Sequence, residues 1–154
     1  MIVDSLLALS GSITGNTVTG QNVFATSADV TSANTIDLLQ NRDIGEGQEL
    51  YGRVEVTTAF AGGTSAEFQF IVADDAALTT NVSVIGSTGA IPVASLVAGS
   101  RFACKLAPRL GSLSQRYLGL QAVNGGANTA GAVYADVGLE ISDNKVYPSG
   151  FSVL

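Results

Sequence analysis

The chain has 154 residues and a mass of 15.6 kDa, enough for one domain with an apolar core of its own. Hydrophobic residues supply 46% of it and charged residues only 13%, which excludes a disordered chain, and no apolar run approaches the ~18 residues of a membrane span. A formal net charge of -6 leaves no basic stripe for a phosphate backbone, and the absence of histidine removes the commonest metal ligand and general base.

The opening Met1-Ile2-Val3-Asp4 has neither the basic region nor the long apolar stretch of a secretory leader. A weak strand is predicted over 5–10. Residues 10–34 are rich in Thr, Ser, Gly and Asn, with isolated Ile13, Val18, Val23, Phe24 and Val30, and read as an extended arm or long loop. Another weak strand fits 34–39. Strict alternation then sets in: Leu50, Gly52, Val54, Val56, Thr58 and Phe60 form one face, and Tyr51, Arg53, Glu55 and Thr57 the other. Period two of this kind is a half-buried strand.

The same pattern recurs in Phe68, Phe70 and Val72 against Glu67 and Gln69. Asp74 to Leu78 predicts one helical turn with Asp74 as its cap. Weak strands fit 82–87 and 91–98. Phe102, Cys104 and Leu106 then oppose Arg101 and Lys105, and Leu118, Leu120 and Ala122 oppose Gln121. The clearest run sets Val133, Ala135, Val137, Leu139 and Ile141 against Tyr134, Asp136 and Glu140. Gly-, Asn- and Asp-rich turns separate these runs, and helical periodicity is nearly absent, so the prediction is an all-β sandwich or barrel in a single domain. Within it, 1–34 is an amino-terminal strand and arm, 35–142 the sandwich core and 143–154 a carboxy-terminal tail. The tail's apolar and aromatic residues either pack back on the domain or dock on a neighbour.

Little in the sequence points to catalysis. Asp74 and Asp75 are in the right chemistry for calcium, but adjacent aspartates after a strand are ordinarily turn formers. Cys104, the single cysteine, lies on an apolar face with no imidazole to activate it and reads as a small hydrophobe. No Gly-x-Ser-x-Gly elbow is present. The expectation is therefore no enzyme, no catalytic or metal-binding residue and no cofactor. A carbohydrate-binding module is the rival reading, with Tyr51 and Tyr134 on the polar face as its rings. Two polar clusters stand out, Arg42-Asp43 and Gln115-Arg116. Each arginine is either a solvated surface charge or a forked anchor at a protein contact.

In order along the chain, Met1-Ile2-Val3-Asp4, Ile36-Asp37-Leu38, Arg42-Asp43-Ile44-Gly45-Glu46-Gly47, the run from Val54 to Phe60 leading to Gly62-Gly63, Ser95-Leu96-Val97-Ala98-Gly99, Arg116-Tyr117-Leu118, Thr129-Ala130-Gly131 and Tyr147-Pro148-Ser149-Gly150-Phe151 resemble the capsid cement (decoration) proteins of short-tailed bacteriophages, typified by a Bordetella phage. Leu39-Gln40 and the 105–109 segment depart from that pattern. The resemblance implies a jelly-roll β-sandwich made in the bacterial cytoplasm and carried on the exterior of an icosahedral head. It implies the major capsid protein and further copies of itself as partners; two-fold oligomers being the commonest, a dimer is expected before a trimer, and the charge and composition already point to no nucleic acid and no membrane. Ile2, Leu6, Leu7, Arg42, Arg116, Tyr147, Phe151 and Leu154 are the expected contact residues, drawn from the two ends and the two arginine clusters.

Overall fold

The alternating runs become strands in a computed structural model that describes residues 5–15, 17–23, 28–39, 49–107 and 115–139. A 3-10 turn, Ser5–Leu7, leads into β1 (Ala8–Ser10), a small hairpin of β2 (Ser12–Thr14) and β3 (Thr17–Thr19), then β4 (Gln21–Asn22), β5 (Val30–Thr31) and β6 (Ile36–Asp37). The long strands follow: β7 (Tyr51–Gly62), β8 (Ser65–Ala73), β9 (Ser83–Ser87), β10 (Ile91–Pro92), β11 (Arg101–Lys105), β12 (Tyr117–Gly125) and β13 (Asn128–Gly138).

Two antiparallel sheets result. The first runs β1-β13-β7-β11, with β4 also on β13, and the second runs β10-β8-β12-β5, with β6 also on β12 and β9 on β8. The chain passes between the sheets almost strand by strand. Taking β1 with β4, β5 with β6 and β9 with β10 as interrupted single strands, and setting the β2–β3 hairpin aside, the order of the eight resulting strands is that of a jelly roll. The crossings from β7 to β8 and from β12 to β13 are tight turns at one end of the sandwich, where the Gly63 N–H donates to the Ala127 carbonyl at 2.8 Å.

The core is what the period-two reading places inward. Val54, Val56, Phe60, Val133, Ala135 and Val137 from the first sheet meet Ala66, Phe68, Phe70, Val72, Leu118, Leu120 and Ala122 from the second. Phe60 and Phe68 pack edge to face across the gap at 6.0 Å. Burying side chains of this size contributes about 1.5–3 kcal/mol each.

Hydrogen bonds tie the two sheets together at both sides of the sandwich. At one seam the Asn34 N–H donates to the Leu9 carbonyl at 3.1 Å. There Gln21 on β4 donates through Nε2 to the Thr31 carbonyl (3.0 Å) and accepts through Oε1 from the Ala33 N–H (2.7 Å). At the other seam the Ala107 N–H donates to the Ile85 carbonyl at 2.6 Å. These bonds occupy backbone groups that would otherwise invite a foreign strand.

Several expectations need correction. Within 10–34, read as an extended arm or long loop, the described residues include sheet strands: Ser10 ends β1, which with β4 pairs with β13, and β5 pairs with β12. Short segments of two or three residues carry too little alternation to be seen in the sequence, and the sheet edge they complete is what orders them. Only Ile36–Asp37 of 34–39 and Ile91–Pro92 of 91–98 are strand, and Val93–Ser95 is a 3-10 turn. The last strand ends at Gly138, so Leu139 is 52% exposed where an inward position was expected.

The predicted helical turn after Asp74 is a non-helical loop, and Asp75, not Asp74, caps it. The Thr80 and Thr79 N–H groups donate to Asp75 Oδ1 at 2.6 and 3.0 Å. Within this loop Leu78 adopts φ +58°, a left-handed conformation costly for a branched side chain. Packing offsets that cost. Leu78 lies buried with Ile71 and Ala73 on the outer face of the second sheet, in a hollow that a Cβ at Gly119 would fill, 2.2 Å from Leu78 Cδ1.

Candidate interaction surface

The end of the sandwich opposite the tight sheet crossings gathers the features that could meet a partner. Register fixes this grouping: Ala8 faces Asp136, Gly138 faces Tyr51, and Asp37 faces Tyr117, which in turn faces Ala73. Leu6 and Leu7 therefore lie just before β1, Leu39 just after β6 and Leu139 just after β13, all at the same end. Leu6 is 82% exposed, Leu39 72%, and Leu7 also presents part of its side chain to solvent. Single exposed leucines are ordinary, whereas four converging on one end of a small domain resemble the apolar centre of a contact.

Arg116 stands beside them. It enters β12 and meets Asp37 on β6 as a two-pronged pair, Nε to Oδ1 and Nη2 to Oδ2. Its guanidinium also lies over the Tyr117 ring, 5.3 Å from the centroid. Asp37 Oδ1 further accepts the Leu39 N–H at 2.8 Å, and Leu39 sits at φ +63°. The arginine hydrogen bond, with a smaller contribution from the Leu39 N–H, holds the Asp37 carboxyl below the ordinary carboxylate range, and the same bond raises the Arg116 value. The arrangement fixes an arginine, a carboxylate and an exposed leucine as one unit.

Of the expected contact residues, the structure brings Leu6, Leu7 and Arg116 to one end. Ile2, Arg42, Tyr147, Phe151 and Leu154 lie outside the described residues. Leu39 and Leu139 escaped the sequence reading. Leu39 was passed over as a departure from the expected pattern, and Leu139 by alternation had been counted inward.

The outer face of the first sheet carries a cross-strand ladder of charge. Arg101 pairs with Glu55 at 3.2 Å, and Lys105 pairs with Glu49, which also accepts from the Tyr51 hydroxyl. Between them Arg53 and Asp136, directly opposite in register, form a bidentate pair with both bonds at 2.7 Å and side chains only 9% and 1% exposed. Alternation had put both on the polar face, and the geometry shows that part of this face is covered. Tyr134 beside them is 4% exposed, which removes it as a sugar platform and leaves Tyr51 alone of the two rings proposed for that role.

Chemistry of other kinds finds little support here. Among the described residues no group of three or more His, Cys, Asp or Glu side chains is arranged to hold a metal ion. Cys104 is half-buried, and burial pushes its thiol up to about 11, so the thiolate that a nucleophile requires is scarce at neutral pH. No helix of the described residues is long and apolar enough to cross a membrane.

A family model described as Bbp16 matches residues 17–137, a span that runs from the small hairpin to the last strand. No curated protein matches the chain.

Proposed function

Because the chain belongs to the Bbp16 family, a phage-related family named after a Bordetella phage protein, we propose that it is a structural virion protein that cements the exterior of an icosahedral head. The family match over most of the chain is the observation that carries this reading. The end surface of Leu6, Leu7, Leu39 and Leu139 with the Asp37–Arg116 fork supports it, because an apolar centre beside a fixed arginine is the usual anatomy of a protein contact. The partners are the major capsid protein and further copies of this chain, a dimer before a trimer. The work is adhesion. An interface of roughly 800 Å² per partner, repeated by the symmetry of a shell, resists internal pressure through many modest contacts.

No chemical step is part of this function, and it requires neither a metal nor a cofactor. The test is reconstitution on heads that lack the protein. Wild-type chain binds, while the triple variant Leu6→Ser, Leu39→Ser, Leu139→Ser melts like wild type and loses binding by roughly tenfold or more, as expected when a contact centre is removed. Wild-type binding by that variant would overturn the assignment of this end as the contact, and failure of the unmodified chain to bind any head would overturn the cement reading itself.

A further inference from the structure

The sequence contains a single Asn-Gly step, Asn124-Gly125, and the fold uses both residues. Asn124 is near the end of β12, opposite Ala66 of β8. Its side-chain amide spends both hydrogens on backbone: Nδ2 donates to the Val23 carbonyl at 3.2 Å and to the Ala28 carbonyl at 3.1 Å. Its Oδ1 accepts from Asn128 Nδ2 at 2.7 Å, and that nitrogen also donates to the Ser65 carbonyl. One amide thus ties Val23 and Ala28 to the second sheet. At Gly125 a Cβ would lie 2.1 Å from Ser65 Oγ, so any side chain there requires that hydroxyl to turn away. The fold thus builds its tie on the most labile dipeptide of amide chemistry.

We propose that Asn124 is a deamidation site, held off by the fold, whose product lets go of Val23 and Ala28. The Gly125 backbone nitrogen attacks Asn124 Cγ, the new C–N bond closes a five-membered imide, and the Cγ–Nδ2 bond breaks to release ammonia, which carries away the proton of the attacking nitrogen. Water then adds to either imide carbonyl, giving aspartate or isoaspartate. Glycine favours the step because no side chain shields its nitrogen. The extended backbone opposes it, because ring closure requires the Asn124–Gly125 peptide plane to rotate out of the strand and Nδ2 to leave both carbonyls. The reaction therefore proceeds through local opening of the strand end.

The product cannot restore the latch. A carboxylate at 124 has no hydrogen for the Val23 and Ala28 carbonyls and sets oxygen against oxygen at just over 3 Å. Isoaspartate also inserts a methylene into the backbone, which upsets the register with Ala66 and the bond from the Thr64 N–H to the Gly125 carbonyl. Conversion is irreversible without repair, so the altered fraction records how often that corner has opened.

Full-length chain incubated at pH 8 and 37 °C, native and in urea, tests this by peptide mass spectrometry with isoaspartate detection. The unfolded chain gains about 1 Da at Asn124, while the native chain converts roughly tenfold or more slowly, because only the opened fraction reacts. Hydrogen exchange then compares wild type, Asn124→Asp and aged wild type enriched in the product. Faster exchange around Val23 and Ala28 in either converted form supports the latch, and the aged sample answers the question even if Asn124→Asp folds poorly. Equal conversion rates in native and unfolded chain, or unchanged exchange in the converted protein, would overturn the proposal.

Discussion

Removing one member of the Arg53–Asp136 pair is the most demanding perturbation of this sandwich. The two side chains are 9% and 1% exposed and joined by two bonds of 2.7 Å, so either partner left alone is a charge without solvent. Breaking a buried pair in this way costs about 3–5 kcal/mol, a large part of the roughly 5–15 kcal/mol that holds a domain folded. At about 2–4 °C per kcal/mol for a chain of this size, Arg53→Ala or Asp136→Ala lowers Tm by about 6–20 °C. The double variant Arg53→Met, Asp136→Leu returns to within about 1 kcal/mol of wild type, because the uncompensated charge is gone and the volume is kept. Urea unfolding with an unchanged m-value and thermal melting read both outcomes. A single variant that loses less than about 1 kcal/mol means that water reaches the pair. A double variant no better than the singles means that the register, not the charge, was lost.

Leu78 offers an inversion of the usual substitution order. Leu78→Ala and Leu78→Gly both forfeit burial worth about 2–4 kcal/mol, but glycine also relieves left-handed strain of about 1 kcal/mol. The glycine variant therefore melts at or above the alanine variant, where an ordinary loop would show the reverse. Acid stability follows from Glu67 and Asp75. The Ser87 hydroxyl and then Gln69 hold Glu67 below its ordinary 4.5, and the Thr80 N–H first among several bonds holds Asp75 below 3.8. Folded values lower than unfolded ones give stability that is complete above the ordinary values and is lost as pH falls through the lowered ones. Glu67→Gln and Asp75→Asn accordingly flatten the acid limb of a stability–pH curve and leave its neutral plateau shape unchanged. Gln21→Ala opens one seam at a cost of about 1–2 kcal/mol, read as faster hydrogen exchange of the Ala33 amide.

Wherever one face of a long strand is buried, alternation alone was sufficient to find it. Val54, Val56, Phe68, Phe70, Leu118, Leu120, Val133, Ala135 and Val137 all point where their spacing says. The amino-terminal third was opaque because its strands are two or three residues long, and β1 and β4 are ordered by a partner more than a hundred residues away. Arg53, Asp136 and Tyr134 were misread for a different reason: the period gives a side chain's face, not whether that face is covered. Of the candidate surface, Leu6, Leu7 and Arg116 were visible as apolar and cationic residues near predicted element ends. Leu39 and Leu139 became visible only once register put their strand ends together, and the Asn124 latch only once its three partners were located.

The pairing of β1 with β13 sets the timetable of folding. Ser10 donates its hydroxyl to the carbonyl of Val133, 123 positions further on, and β4 also lies along β13. On a ribosome the first segment therefore waits, without its sheet neighbour, until nearly the whole described chain has emerged. Closing so long a loop is slow, and the waiting strands are vulnerable to promiscuous association. Between the waiting strands, Ser12–Thr14 and Thr17–Thr19 pair with each other, so this hydroxyl-rich stretch closes locally and offers a stray neighbour little grease to adhere to before β13 arrives.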